Sequence, residues 1–575
     1  MEKHTVYSLH TSLCYTEVMK YELEQVVSAA IKDLYDVEVV VELTRPEEQF
    51  GDFATNVALQ LAKRLGKNPR EIGEAVAEKL RGNEQFTELS VAGPGFLNMR
   101  LRDIALLSAL EAESAKTLKG KTVLLEYSDP NPFKPLHAGH LYTTLVGDTI
   151  ARLVAHAGAH TVRLNFGGDV GLHAGKSMWA ILQALGGEHP EILADIAEAE
   201  RPAWLGARYV EGNNAYEEDD AAKQAIVSAN KRVYALHDTN DHESAFAQIY
   251  WTCRQWSYDY FATLYTQLQV VPFDRFIPES EVTPLGLETV RAQLEKGVFV
   301  QSDGAVVFRG EDQGLHTRVF INSEGLPTYE TKDVGLSLAK WRDYHFDESI
   351  IITANEQMQY MQVVLAAIHA FAPEPADRTR HLTHGVVKLQ GGVKMSSRKG
   401  NIVTALEILE AARVAGEASG TDPNEETILA AVKYAFAKNR IGGDIVYDPL
   451  ESIALEGNSG PYLQYAHARA RSILAKSPAE SHALPKDVQL EADERSLVRT
   501  LSQYVEAVDR ATAELMPHHI CTYLYELAQA FNRFYENNRV IGDEREQIRL
   551  GLVSQYAATL KQGLELLGIH APERM

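Results

Sequence analysis

The sequence predicts an α/β protein: a doubly wound parallel sheet, preceded by a small α+β domain and followed by an all-α helical bundle. Three observations carry that reading. A short apolar strand, a long helical pattern and a second strand follow one another at Thr122–Tyr127, Gly139–Ala155 and His160–Phe166. The same order returns at Ser349–Thr353, Gln357–Phe371 and Leu382–Leu389. Each is a βαβ unit, which implies parallel strands joined by a right-handed crossover. Two such halves suggest a sheet whose ligand crevice lies outside the carboxyl ends of its strands. From Leu455 onward the pattern is helical nearly to the end, broken by a polar linker at Ser477–Asp487, which reads as a bundle.

The remaining elements follow in order. Tyr21–Leu34 has helical periodicity and Val37–Leu43 is a β-branched run. The turn-rich stretch Thr44–Asp52 leads into a helix at Ala54–Leu65, and Asn68-Pro69 starts another that runs to about Leu80. Glu88–Leu101 reads as a strand pair bent at Gly93-Pro94-Gly95. An insertion of about 182–247 separates the two βαβ halves, and its segment Glu188–Glu243 carries about a third of the chain's net negative charge. The bundle places Arg469, Arg471, Arg533 and Arg539 on helices. The predicted boundaries are an unassigned segment 1–19, an α+β domain 20–115, the parallel-sheet domain 116–450 and the bundle 451–575.

Composition narrows the function. The chain has 575 residues and a net charge of −23. That balance argues against a non-specific DNA coat or a polybasic membrane binder, and leaves room for a local basic stripe. Cys14, Cys253 and Cys521 are far apart and odd in number, so neither a disulfide framework nor a cysteine-built zinc site is expected. No secretory signal and no membrane-length apolar run is visible, and a cytoplasmic location is expected.

Two segments carry chemistry. Pro130-Asn131-Pro132-Phe133-Lys134-Pro135-Leu136-His137-Ala138-Gly139-His140 leaves the first strand and opens the long helix. Prolines hold the loop extended, the amides of the first helical turn favour a phosphate, and Gly139 lets a ligand approach the backbone. His137 and His140, three apart, lie on one face of the helix start, as two ligand donors or as two capping residues. The second segment is Lys394-Met395-Ser396-Ser397-Arg398-Lys399-Gly400-Asn401, after Gly391-Gly392. Its cations suit a mobile clamp on a polyphosphate; alone, it would read as a solvated basic loop.

Together the two segments resemble the HIGH and KMSKS sequences of class I aminoacyl-tRNA synthetases. Longer words resemble the arginyl member: Glu126-Tyr127-Ser128-Asp129-Pro130-Asn131, Asn165–Gly171 with its Gly-Asp-x-Gly, Gly314–Arg318 and Pro327–Asp333. So do Gly460–His467, the terminus Ala571–Met575, and Gly51–Asn56 in the N-terminal part. Two departures stand out. The fourth KMSKS position is Ser397, and the stretch Glu356–Gln362 lacks the histidine usual beside that helix.

The resemblance implies a Rossmann-type catalytic domain and a two-step reaction. Arginine's carboxylate attacks the α-phosphorus of ATP, carried with Mg2+, and the terminal adenosine of tRNA then takes arginine from the adenylate. No protein-bound metal is implied. His137, His140 and Lys394 would be the catalytic donors, with Arg398 or Lys399 filling the vacant cation position. Pro130, Lys134, Gly139, His384, Gly385, Met395 and Ser396 would bind ATP. Glu126, Ser128, Asn131, Tyr329, Asp333 and Gln362 would bind arginine, since a planar guanidinium calls for fixed carboxylates. Phe96 and Asn98 would meet the corner of tRNA, and Tyr462, Tyr535 and Met575 its anticodon loop. For Glu126 the alternative is a strand-end carboxylate paired with a local lysine; for the tyrosines it is core packing. A synthetase for cysteine, a nucleotidyltransferase, or a catalytically silent paralogue that binds tRNA or a protein partner remain the competing functions.

Overall fold

The structure, a computed structural model, describes residues 15–390, 403–420, 423–477 and 482–575. The chain forms two compact units, residues 1–117 with 455–575, and residues 118–454.

The first unit begins with α1 (Tyr15–Tyr35), which buries Leu23, Val27 and Ile31 on one stripe. Val37–Leu43 joins no strand, and Thr44 alone bridges to Ala54. The helix expected from Ala54 starts later. Phe53–Thr55 is strand β1, paired antiparallel with the later strand that contains Leu97–Met99, and α2 runs Val57–Leu65. Helix α3 (Pro69–Leu80) has Asn68 at its N-cap, accepting from the Arg70 amide, with proline in the first turn. Strands β2 (Phe86–Ala92) and β3 (Phe96–Leu101) form the expected hairpin, and β3 is central in the order β1-β3-β2. Helix α4 covers Asp103–Ala109.

The second unit is built on β4 (Thr122–Glu126), α5 (Ala138–His156), β5 (His160–Gly167) and α6 (Leu172–Ala184). The acidic insertion folds as α7 (Arg201–Glu218) and α8 (Asp220–Asp238), leading to α9 (Ala245–Gln267). Glycines set the packing here: a Cβ on Gly212 would lie 2.1 Å from the Lys176 carbonyl, so α7 lies against α6 at backbone distance. Then come β6 (Arg275–Pro278), α10 (Glu279–Glu295), a small antiparallel sheet of β7 (Val300–Ser302), β8 (Ala305–Phe308) and β9 (Arg318–Ile321), and α11 (Tyr329–Tyr344). The second half is β10 (Glu348–Ala354), α12 (Met358–His369), α13 (Pro373–Asp377) and β11 (Thr379–His384).

These strands make one parallel sheet of order β11-β10-β4-β5-β6. The chain winds from β4 toward β6, returns, and winds from β10 toward β11, so the order reverses between β4 and β10. The strand expected over Leu382–Leu389 is two strands. It breaks at Gly385, and β12 (Val387–Leu389) leaves the main sheet to pair with a later strand. After α14 (Ala405–Ala418) and α15 (Glu425–Ala437), that partner is β13 (Ile445–Tyr447), followed by α16 (Pro449–Ile453). A Cβ on Gly385 would lie 2.3 Å from the Gly443 backbone, which explains the glycine at the break.

The bundle belongs to the first unit: α17 (Gly460–Leu474), α18 (Ala492–Leu501), α19 (Tyr504–Glu514), α20 (His518–Asn537) and α21 (Glu546–Leu566). Its core includes Leu463, Leu497, Leu524, Phe531 and Leu560. Arg469, Arg471 and Arg533 lie on helices; Arg539 does not, because α20 ends at Asn537.

Candidate active site

The loop from β4 to α5 sits at the point where the strand order reverses. It holds three non-glycine residues with left-handed backbone, Ser128 (φ 78°), Asp129 (φ 47°) and Phe133 (φ 70°). Such conformations persist only where the surroundings impose them. Here the Asp129 carboxylate accepts from the Phe166 amide (2.7 Å), Asn131 Oδ1 from the Gly168 amide (2.9 Å), and the Phe133 amide donates to Ser257 (2.8 Å). The Ser128 hydroxyl, 2% exposed, is held between Tyr265 (2.7 Å) and Thr144 (2.7 Å). Ser128 therefore fixes the loop rather than facing an open pocket; Asn131 keeps its amide NH₂ as a donor.

His137 is the N-cap of α5. Its Nδ1 accepts from the amides of Gly139 (3.1 Å) and His140 (3.3 Å), and the His137 amide reaches His140 Nδ1 (3.5 Å). The two rings stack at 3.7 Å. Two expectations change here. The first-turn amides are satisfied by His137, and the space beside Gly139 is taken by the His137 ring, 2.9 Å from a would-be Cβ. Because each ring accepts through Nδ1, each carries its proton on Nε2 as a donor. Burial, with Lys134 nearby, pulls His137 down to about 4; burial and then His137 hold His140 well below the usual imidazole range. Both are neutral donors at pH 7.

Lys134 is pulled down to about 8 by burial and lies 5.2 Å from the Tyr209 ring of α7. Lys394, Met395, Ser396, Arg398 and Lys399 lie outside the described residues. The chain that returns from them is joined to the histidine loop: Ala138 donates to the Val403 carbonyl (2.9 Å) and Ala405 to the Leu136 carbonyl (3.0 Å). His384, at the end of β11, is 1% exposed, with Nε2 2.7 Å from Thr143 and Nδ1 donating to the Gly385 carbonyl. It sits behind α5, in contact with Tyr142. Pro130 is buried in the loop.

Opposite the loop, α11 presents one face toward β4. Tyr329, half exposed, begins it and its hydroxyl lies 3.2 Å from His173 Nδ1. One turn on, Asp333 accepts from the Tyr360 hydroxyl. Two turns further, Lys340 donates to Glu126 (2.8 Å), both nearly fully buried. Glu126 thus has a lysine partner, one distant in sequence. Burial pushes Asp333 up to about 8, against the Tyr360 bond, and the charge of Glu126 adds to it. Burial and Glu126 likewise hold Asp129 well above the usual carboxylate range. Lys332 points the other way, to Glu279 and the Val170 carbonyl (2.9 Å). Gln362 is exposed on α12.

Sequence reading missed Lys340, Tyr360, His173 and Asp129. Asp129 lies inside the word Glu126–Asn131, His173 just beyond Gly171 and Tyr360 within the stretch Glu356–Gln362, but none of these words marks the residue itself; Lys340 lies in no quoted word. Asp169 of the Gly-Asp-x-Gly word is fully buried and takes Ser280 and Arg254, so it ties β5 to α10 and α9.

In the first unit, Phe96 is exposed on β3, whereas Asn98 is 5% exposed and does not offer an open amide edge. The Tyr462 hydroxyl accepts from Asn532 (2.8 Å), and Arg469 lies over the Tyr535 ring at 4.6 Å. The two bundle words meet: Gln464 donates to the His570 carbonyl, His467 lies 2.8 Å from the Pro572 carbonyl and Arg471 pairs with Glu573. Met575 is exposed beyond them.

The family model described as tRNA synthetases class I (R), catalytic domain, matches residues 104–453. The unit with the parallel sheet is therefore the catalytic domain of a class I aminoacyl-tRNA synthetase. Models for the arginyl tRNA synthetase N terminal domain and the DALR anticodon binding domain match residues 18–101 and 463–575. An arginine–tRNA ligase of Porphyromonas gingivalis is 30% identical, over 96% of this chain and 99% of its own. The arginyl-tRNA synthetase of Thermus thermophilus superposes with a TM-score of 0.77 at 28% identity, over 97% of this chain and all of that one. A methionyl-tRNA synthetase of Mycobacterium tuberculosis (TM-score 0.51, 14% identity, 78% of this chain and 91% of that one) shares the fold alone. The chain belongs to the arginyl-tRNA synthetase family, whose reaction is the ATP-dependent aminoacylation of tRNA with arginine.

Proposed function

We propose that this chain performs that reaction in the crevice where β4 and β10 end, with ATP entering as its Mg2+ complex. The observation that carries the reading is the charge at the end of β4. Glu126 acts on both Asp129 and Asp333 there, Glu279 at the start of α10 adds to the field on Asp333, and Lys340 beside Glu126 and Lys332 and Lys134 toward Glu279 offset these carboxyls in part. A buried excess of carboxyl groups suits a cationic substrate. Asp333 is the guanidinium partner, with Tyr329 and Gln362 along the same path and Asn131 toward the α-amino end. Glu126 shapes this field through Lys340, and Ser128 through the loop.

The ATP phosphates meet Lys134 and the Nε2 donors of His137 and His140, with Lys394 and one of Arg398 and Lys399 completing the clamp and Met395 and Ser396 beside the nucleotide. Pro130, Gly139, His384 and Gly385 shape the surrounding backbone. Arginine's carboxylate attacks the α-phosphorus and pyrophosphate leaves. The 2′-hydroxyl of the terminal adenosine then attacks the adenylate carbonyl and AMP leaves. The carboxylate is already ionised, so neutral histidines serve by hydrogen bonding to charge that develops on phosphate. Transfer RNA meets Phe96, with the buried Asn98 supporting its strand rather than touching RNA, and Tyr462, Tyr535 and Met575. Among the described residues no helix is long and apolar enough to cross a membrane, and we place the enzyme in the cytoplasm.

His140→Asn tests the phosphate role. Adenylate formation in a single turnover should slow by about 2.7–4 kcal/mol in barrier, with the arginine KM unchanged. A change confined to the arginine KM would remove His140 from that role.

A further inference from the structure

The Gly51-Asp52-Phe53 word has no place in the catalytic crevice, yet its geometry is tightly fixed. Gly51 has φ 113°, and a Cβ there would lie 2.7 Å from the Met99 carbonyl. Asp52, 2% exposed, follows it along β3: its amide donates to the Met99 carbonyl (2.8 Å) and its carboxylate accepts from the Leu101 amide (2.8 Å). Into this corner comes Arg495 of the bundle helix α18, 7% exposed. Its Nη2 donates to Asp52 (2.6 Å) and to the Leu101 carbonyl (3.0 Å), and its Nη1 reaches Asp103 at the start of α4.

A rim of polar contacts surrounds the pair. Arg45 meets Glu506 (2.6 Å), Ser496 meets Glu48 (2.9 Å), Arg499 donates to the Pro46 carbonyl (2.5 Å), and the Leu490 amide donates to Asp103 (2.9 Å). Ala115 and Val505 pack against each other in a small buried cluster. A buried ion pair is a poor source of net stability, because desolvation offsets most of the attraction. A directional, many-bonded arginine does fix geometry. The geometry fixed here runs between β3, which presents Phe96, and α18, which packs on α20, the helix of Tyr535.

We propose that the Asp52–Arg495 clamp is a positioning device that sets the spacing between the two tRNA-contacting faces of this unit, so that the unit measures the distance from the corner of tRNA to its anticodon. The inference rests on the reading that both faces touch tRNA. Two contacts at fixed spacing bind together far more tightly than either alone, and the gain vanishes when the connection loosens. Asp52 and Arg495 belong to the unit that does not carry the histidine loop.

The test uses the full-length enzyme with Arg495→Met, Arg495→Lys, Asp52→Asn, the Asp52→Asn/Arg495→Met pair and the rim variant Glu506→Gln. Phe96→Ala and Tyr535→Ala run alongside. With intact tRNA, Arg495→Met should raise the tRNA KM at least about ten-fold, equivalent to about 1.4 kcal/mol, with arginine and ATP KM unchanged. The double variant should be no worse than the single, Arg495→Lys should recover part of the loss, and Glu506→Gln should give a smaller shift of the same kind. With a tRNA lacking its anticodon arm, wild type and Arg495→Met should be alike. A lower kcat at unchanged tRNA KM in Arg495→Met and Glu506→Gln would reduce the pair to a structural role and overturn the proposal. If Phe96→Ala and Tyr535→Ala raise the tRNA KM while the clamp variants do not, the clamp fails and the contact reading stands. If none of them does, the contact reading itself falls.

Discussion

Asp333 is the residue on which substrate choice turns. Burial pushes its carboxyl up to about 8, so near neutrality much of the free enzyme carries it un-ionised. A guanidinium needs the ionised form. The kcat/KM for arginine should therefore rise as pH increases toward and through about 8, since that ratio reports the free enzyme. Asp333→Asn should flatten the profile and raise the arginine KM by about 1.5–3 kcal/mol, with little change for ATP. The stability sign runs the other way: this group's contribution is full below the ordinary carboxylate range and is lost as pH rises through about 8. Loss of ATP and arginine binding in equal measure would make Asp333 structural. His137 separates two roles in the same fashion. His137→Ala removes an N-cap and should cost about 0.5–2 kcal/mol in thermal unfolding, whereas His137→Asn keeps a capping oxygen and most of the stability. Both should lose adenylate formation; full activity in the asparagine variant would mean that the imidazole only caps. At this scale the words of the sequence singled out Glu126, Asn131, His137 and Asp333 as candidates, and contained His140 and Gly168 beside two of them, but did not pair Glu126 with Lys340 or Asp333 with Tyr360. Lys340 and Tyr360 lie on helices whose approach to β4 is a product of the sheet order, and no local pattern encodes that.

At the scale of elements, the sequence was most legible where one face is buried and a cap is present. Helix α3, with Asn68 and Pro69 at its start, and the hairpin β2–β3 follow the expected bounds closely. It was least legible where an apolar run changes conformation without a turn signal. Phe53-Ala54-Thr55 is a fully buried three-residue strand that runs almost directly into α2, so periodicity merges the two. Leu382–Leu389 is continuous in sequence and broken in space, because Gly385 must pass against Gly443. That junction leads to the basic segment, and it can be tested in pairs. Gly385→Ala forces a Cβ into backbone and should cost about 1–3 kcal/mol in denaturant unfolding. Gly443→Ala, on the other side of the same contact, meets nothing within 4 Å and should stay within about 0.5 kcal/mol of wild type. Equal effects would mean that the close approach is relaxed in solution.

For the molecule as a whole, the doubly wound sheet and the helical bundle were legible from two βαβ patterns and a long helical tail. The joining of the N-terminal domain and the bundle in one unit was not, because Asp52 and Arg495 are 443 residues apart and neither has a local motif for the other. The acidic end of β4 and the histidine loop should form one working site for arginine and ATP. Arginine-dependent exchange of pyrophosphate into ATP, measured on the full chain with and without tRNA, tests it most directly. Exchange should require arginine, fail with lysine, and be lost in His140→Asn. Tight tRNA binding with no arginine-dependent exchange under either condition would contradict it and leave a silent tRNA-binding paralogue in its place.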